Sequence, residues 1–153
     1  MSRNEMNQSR GVLSSKVALI TGGFLGIRWA TALLFAQEGA AVAVMDLDEA
    51  GGQAVTQEIL DTGGQAIFVS GNVARAADCE RAVQRTNDEL GGLDILFNNV
   101  GIVRRATVLE LTEDDWDLVM SVNVKSMFLL SKYAIPLMID AGGGSIINTA
   151  SGW

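Results

Sequence analysis

Short runs of β-branched and other apolar residues alternate along the chain with longer stretches in which apolar residues recur every three or four positions. The short runs predict buried strands, and the longer stretches, most of which end at glycines, predict amphipathic helices. The expected strands are residues 16–21, 41–46, 66–70, 93–97 and 145–149. The helices between them are expected at 27–38, 49–62, 75–90 and from Thr112 to Gly142. Strands that are apolar throughout need cover on both faces, so the pattern indicates right-handed βαβ crossovers and a parallel sheet, an α/β fold.

The last of these helices is the longest, and Thr112 is placed to cap it with Asp115 three residues on. Its apolar positions form one face with a single amide among them, Asn123. An unpaired buried amide costs about 1–3 kcal/mol, which argues against Asn123 being merely a polar residue on an apolar face. The members of the predicted face are Trp116, Met120, Asn123, Met127, Leu130, Ala134 and Met138.

Composition narrows the class of protein. The chain has 153 residues, 48% of them apolar, which is enough for one sizeable core. The polar residues 1–15 predict a flexible tail before a folded domain at 16–153. The net charge of −7 argues against a nucleic-acid partner. The chain has no His and only one Cys, which excludes a His/Cys metal site, a Ser-His-Asp triad and an internal disulfide. Without a signal or membrane-spanning stretch, a soluble cytoplasmic protein with no membrane partner is expected.

The first candidate ligand-binding motif is Thr21-Gly-Gly-Phe-Leu-Gly-Ile-Arg28, which connects the first strand to a helix. Glycines in such a turn let a pyrophosphate approach the N–H groups at the helix N-terminus. Asp46 ends the second strand, where a carboxylate can accept both hydroxyls of an adenosine ribose. The alternatives are a glycine-rich turn without a ligand and a helix N-terminal acid. The two features together favour dinucleotide binding.

Four motifs in order resemble those of the short-chain dehydrogenase/reductase family. Gly22 and Gly26 match its phosphate loop, and Asn98-Asn-Val-Gly101 is similar to its Asn-Asn-Ala-Gly. Val122-Asn-Val124 resembles its catalytic Asn site, and 144–151 resembles the strand that delivers its catalytic Ser. The resemblance implies a Rossmann-like, doubly wound parallel sheet. Five strands in the order 3-2-1-4-5 are expected here, with the last strands of the family fold missing.

The resemblance also implies roles for individual residues. Asp46 resembles the acid that selects NAD over NADP, because a carboxylate repels a 2′-phosphate. Asn123 is expected to interrupt its helix and to hold a water of a proton relay, and Ser151 is expected to hydrogen-bond the oxygen of a secondary alcohol or ketone substrate. A homodimer or homotetramer built through the long helix is implied as well. The expected NAD-binding residues are Gly22, Leu25, Gly26, Ile27, Asp46, Leu47, Asn72, Val73, Asn99, Val100 and Gly101.

The sequence differs from the family's motifs at two places. Arg28 stands where the family has a third glycine, so its side chain either obstructs the pyrophosphate or swings out and offsets the phosphate charge. The family's Tyr-x-x-x-Lys is absent, because the only Tyr, Tyr133, is followed four residues on by Leu137. The expectation is therefore an inactive, NAD-binding N-terminal fragment of an oxidoreductase. The alternative is a non-catalytic dinucleotide-binding or regulatory module.

Overall fold

A computed structural model describes residues 11–22 and 26–150 of the chain. Within these residues every predicted strand and helix forms, with bounds that differ from the expected ones by a few residues at most. The elements are β1 (Val17–Thr21), α1 (Ile27–Gln37), β2 (Ala41–Asp46), α2 (Glu49–Asp61), β3 (Gln65–Ser70), α3 (Ala76–Leu90), β4 (Ile95–Asn98), α4 (Glu113–Met120), a π-helical turn (Ser121–Lys125), α5 (Ser126–Asp140) and β5 (Ser145–Asn148).

The described strands form one parallel sheet in the order β3-β2-β1-β4-β5, which confirms the expected fold class. Thr21 at the end of β1 pairs with Met45 on one side and with Asn98 on the other. The chain therefore builds outward from β1 in one direction through β2 and β3, and in the other through β4 and β5. In sheets of this kind, ligands bind in the crevice outside the carboxyl ends of the strands where the winding direction reverses. Here that point lies between β1 and β4.

Successive residues of each strand face opposite sides of the sheet and enter two separate cores. On β1, Leu19 belongs to the core covered by α3 and α5, whereas Ile20 belongs to the core covered by α1 and α2. Both side chains are fully buried. Cover on both faces explains why the strands read as continuous apolar runs.

Residues 11–15 belong to the folded unit, although the sequence predicts a flexible tail up to residue 15. They form a turn against the end of α1. The Val12 N–H donates to the Glu38 carboxylate at 2.9 Å, and the Leu13 N–H donates to the Glu38 carbonyl at 2.9 Å. Leu13 also packs against the α1/α2 core. These contacts hold residues 11–15 in place, and composition alone does not predict them.

The long helix runs from Glu113 to Asp140 but changes geometry in the middle, at the π-helical turn. Thr112 caps it as expected, accepting the Asp115 N–H at 3.1 Å. The predicted single apolar face is wrong in its first half, where Trp116 is 56% exposed. The extra residue in a π-helical turn rotates the side chains before the turn relative to those after it. Only the second half of the predicted face therefore lies in the core.

The same 28-residue helix is, by length and composition alone, apolar enough to cross a membrane. Three of its side chains, Leu130, Ala134 and Met138, nevertheless lie in the core against the sheet, each at most 5% exposed. A core helix of this kind passes the same test of length and hydropathy.

Candidate functional site

The carboxyl ends of the strands are joined by main-chain hydrogen bonds that continue the sheet beyond its last paired residues. The Gly22 N–H donates to the Met45 carbonyl at 2.7 Å, which ties the turn after β1 to β2. Across the crevice, the Thr149 N–H donates to the Asn98 carbonyl at 3.0 Å. Gly22 and Thr149, the first residues after β1 and β5, are therefore tied to the neighbouring strands and extend the carboxyl edge of the sheet.

Two threonine hydroxyls complete this edge, that of Thr21 from the glycine-containing motif and that of Thr149, to which the sequence assigns no role. The Thr21 hydroxyl donates to the Phe97 carbonyl at 3.3 Å and accepts the Asn99 N–H at 3.1 Å, so it bridges β1 and β4. The Thr149 hydroxyl donates to the Asn99 side-chain oxygen at 2.5 Å. Polar residues at the ends of buried strands are the sequence signal that points to them. Their effect is to orient Asn99 at the crevice.

Gly22 and Gly26 flank the turn between β1 and α1, and both have left-handed backbones, with φ of +75° and +60°. Such backbone angles favour glycine, which explains why the chain has glycine at both positions. Ile27, the first residue of α1, is 74% exposed, and the first turn of that helix contains no acidic residue. The N–H groups of this turn lie at the positive end of the helix, and no acidic side chain within the turn competes for them. Leu25 lies outside the described residues.

Arg28 folds back toward the end of β1. Its side chain is the nearest neighbour of the space above Gly22: its Nη1 and Cδ atoms stand closest to the point that a Cβ at Gly22 would occupy, with Cδ 2.8 Å away. A methyl group of Val100, from the segment after β4, is 3.0 Å from the same point. The guanidinium therefore lies in the crevice between β1 and β4.

Asp46 stands at the end of β2, where the sequence places it, and is half-buried. One of its carboxylate oxygens accepts the Asp48 N–H at 3.1 Å, which holds the side chain at the strand end. Leu47 beside it is 67% exposed. The described contacts leave the other carboxylate oxygen of Asp46 without a hydrogen bond, so it is available as an acceptor.

Asn72 and Val73 follow β3 and are fixed by the start of α3. The Asn72 N–H donates to the Asp78 carboxylate at 2.9 Å. This hydrogen bond, with the neighbouring Arg81 guanidinium, lowers the pKa of Asp78. The Val73 carbonyl accepts the Cys79 thiol at 3.1 Å, and burial raises the pKa of that thiol to about 11. Both residues therefore lie at the carboxyl edge on a rigid turn.

Both polar groups of the Asn123 side chain form hydrogen bonds. Its side-chain oxygen accepts the Ile102 N–H at 2.8 Å, and its side-chain nitrogen donates to the Ile102 carbonyl at 2.9 Å. The π-helical turn places Asn123 opposite the segment that follows β4, and Gly101 lies beside it. The amide thus braces the Asn99-Val-Gly101 segment against the long helix.

A cavity of about 740 Å³ opens between the segment after β4 and the first half of the long helix. Asn123 forms one side of it, and Arg104 lies at its wall in an ion pair with Asp115, 3.2 Å from Nε to the carboxylate. The ion pair leaves the charge of Arg104 compensated, so the cavity presents mainly apolar groups. Its other lining residues are Ile102, Val103, Arg105, Ala106, Leu111, Trp116, Val119 and Met120.

Ser151 lies outside the described residues. Among residues 11–22 and 26–150, no cluster of three or more His, Cys, Asp or Glu side chains is placed to hold a metal ion.

The described site residues fit a dinucleotide in their layout. Asp46 supplies a carboxylate acceptor, the first turn of α1 supplies helix N–H groups, and Asn99 lies in a hydrogen-bonded segment after β4. These groups lie along the carboxyl edge on both sides of the reversal point. Arg28 is the one described side chain that conflicts with this layout, because it fills the space above Gly22.

Comparison with known proteins yields a match to the short chain dehydrogenase family over residues 16–153. An uncharacterized oxidoreductase of Thermotoga maritima is 46% identical over 136 residues, which cover 89% of this chain and 53% of that protein. Cyclohexanol dehydrogenase of an Acinetobacter species is 40% identical over 139 residues, covering 90% and 55%.

Among solved structures, a short-chain dehydrogenase/reductase variant from Serratia marcescens superimposes with a TM-score of 0.86 at 36% identity. The match covers 91% of this chain and 56% of that one. The chain therefore spans a little over half the length of the relatives it matches.

Proposed function

Because the chain belongs to the short-chain dehydrogenase/reductase family, whose members use NAD or NADP, we propose that it is the NAD-binding part of an oxidoreductase. The single observation that carries this proposal is the half-buried carboxylate of Asp46 at the end of β2. A carboxylate there accepts both hydroxyls of an adenosine ribose, and it repels the 2′-phosphate that distinguishes NADP. NAD is therefore the expected cofactor.

The remaining binding residues follow the carboxyl edge. Gly22, Leu25, Gly26 and Ile27 would hold the pyrophosphate, Asp46 and Leu47 the adenosine, and Asn72 and Val73 the adenine side. Asn99, Val100 and Gly101 would lie beneath the nicotinamide half. When bound, NAD would supply a hydride acceptor at nicotinamide C4.

The protein's own residues would act on the substrate oxygen. Ser151 would donate a hydrogen bond to the oxygen of a secondary alcohol or ketone, and Asn123 would support the proton relay by holding the Gly101 segment and the π-helical turn in place. We propose that the cavity beside Asn123 receives the rest of the substrate, a small molecule with an apolar body. The parent protein would work in the cytoplasm as a homodimer or homotetramer.

The 153 residues contain no Tyr-x-x-x-Lys to transfer the proton, so this chain by itself is expected to reduce no NAD. Production of NADH by the purified chain with a panel of secondary alcohols would overturn that expectation.

The cofactor proposal is tested by calorimetric titration of the chain with NAD and with NADP. Asp46→Asn keeps an oxygen that can accept the Asp48 N–H but loses the charge, which weakens the ribose hydrogen bonds. A loss of about 1.4 kcal/mol corresponds to roughly tenfold weaker NAD binding, while the NADP affinity rises or stays level. Glu58→Gln, which removes one charge from the exposed face of α2, is the matched control. Tighter binding of NADP than NAD by the unaltered chain would contradict the proposal.

A further inference from the structure

We infer that Arg28 acts as a displaceable plug in the crevice between β1 and β4, and that its bulk, not its charge, weakens dinucleotide binding to this chain. The inference rests on the proposed function, because it concerns the same site. It starts from the placement of the side chain over Gly22, with Val100 on the opposite side of the same space.

The backbone explains why this space exists. Gly22 has a left-handed φ of +75° and no side chain, which leaves open space directly above the end of β1. Because β1 is the strand at which the winding of the sheet reverses, this is the space that a ligand spanning the crevice must cross. Arg28, on the first turn of α1, extends into it.

Nothing in the described chain anchors the guanidinium there. The ion pairs of the described residues are Lys16 with Asp94, Arg81 with Asp78, Arg85 with Glu89, and Arg104 with Asp115. Arg28 takes no part in them and donates no hydrogen bond to a described residue. A side chain held only by van der Waals contacts leaves at low cost, so it obstructs the crevice without sealing it.

The obstruction is local. Gly22 and Val100 define the crevice between β1 and β4, whereas Asp46 ends β2 on the far side of β1. A ligand confined to the adenosine end of the site therefore does not meet Arg28, while a full dinucleotide does. This difference separates the plug from any general change in the fold.

The test titrates adenosine and NAD into the unaltered chain, Arg28→Gly, Arg28→Ala and Arg28→Met. The first two variants open the crevice, and Arg28→Ala does so without placing a flexible glycine in the first helical turn. We expect both to bind NAD at least about tenfold more tightly than the unaltered chain, and to bind adenosine, which has no phosphate to meet Arg28, within about twofold of it. Arg28→Met keeps a long side chain without the charge, and its NAD affinity is expected to stay within about threefold of the unaltered chain.

Each other outcome counts against the inference in a different way. An equal gain in Arg28→Met and Arg28→Ala would assign the effect to the guanidinium group and not to the length of the side chain. Unchanged or weaker NAD binding in Arg28→Gly and Arg28→Ala, with adenosine still bound, would refute the plug and leave the proposed function standing. Absence of adenosine and NAD binding in all four proteins, with unchanged circular dichroism, would refute the dinucleotide function and the plug together.

Discussion

The two hydrogen bonds between Asn123 and Ile102 allow the loss of stability caused by Asn123→Ala to be estimated. Replacing Asn123 by Ala removes two hydrogen bonds, of 2.8 and 2.9 Å, that join the π-helical turn to the segment after β4. Each such bond contributes about 1 kcal/mol net, for a loss of about 2 kcal/mol. Alanine is the better helix former by about 0.6 kcal/mol, which offsets part of this loss. The expected decrease in the free energy of unfolding is therefore about 1.4 kcal/mol.

Equilibrium unfolding in urea, followed by circular dichroism, measures this difference. Lys125→Ala is the matched control, because Lys125 is an exposed residue of the same π-helical turn and none of the described hydrogen bonds or ion pairs involves its side chain. It is expected to change the free energy of unfolding by less than about 0.5 kcal/mol. A value for Asn123→Ala as small as that of the control would refute the idea that the amide braces the site.

Two further predictions concern the turn after β3. The Cys79 thiol, with its pKa raised to about 11 by burial, should react with a disulfide reagent at pH 8 only after unfolding, and rapid labelling of the native chain would show that it is accessible. The Asn72 N–H and Arg81 lower the pKa of Asp78 below its ordinary value of 3.8. The ionised carboxylate therefore stabilises the fold above pH 3.8, and this stabilisation is lost as the pH falls through the lowered pKa of the folded state. Asp78→Asn should accordingly make the free energy of unfolding less dependent on pH between about 5 and 2, and an unchanged pH dependence would count against it.

Much of the fold could be predicted from the sequence because its signals are local. Runs such as Ala41–Asp46 are apolar throughout, as strands covered on both faces must be, and the glycines that follow the helices mark where they end. The strand order came from the resemblance of the motifs, and the pairing of β1 with both β2 and β4 confirms it.

The register of the long helix could not be predicted in the same way. Spacing assigns Trp116 and Leu130 to one face only if the helix keeps the same pitch throughout, and the π-helical turn between them breaks that assumption. The resemblance of Val122-Asn-Val124 to the family's Asn site predicts an interruption of the helix at Asn123, and the π-helical turn includes that residue. The partner of its side chain, Ile102, is distant in the sequence, so the contact itself could not be predicted.

The candidate site also has a part that the sequence predicts and a part that it does not. Asp46 and Asn99 could be placed together because the ends of parallel strands share one edge, but the direction of a long side chain is set by the space around it. Whether Arg28 fills the crevice or turns away from it depends on Gly22 and Val100 together, and only the three-dimensional structure brings those two residues together.

NAD binding at the carboxyl edge is tested most directly by nuclear magnetic resonance, which maps the backbone amides that respond when NAD is added to the isotopically labelled chain. We expect the shifted signals to follow the carboxyl edge, at Gly22, Asp46, Val73 and Gly101, and NADP to shift them less at equal concentration. Shifts confined to the cavity beside Trp116, or no shifts at millimolar NAD in a chain freed of Arg28, would contradict it.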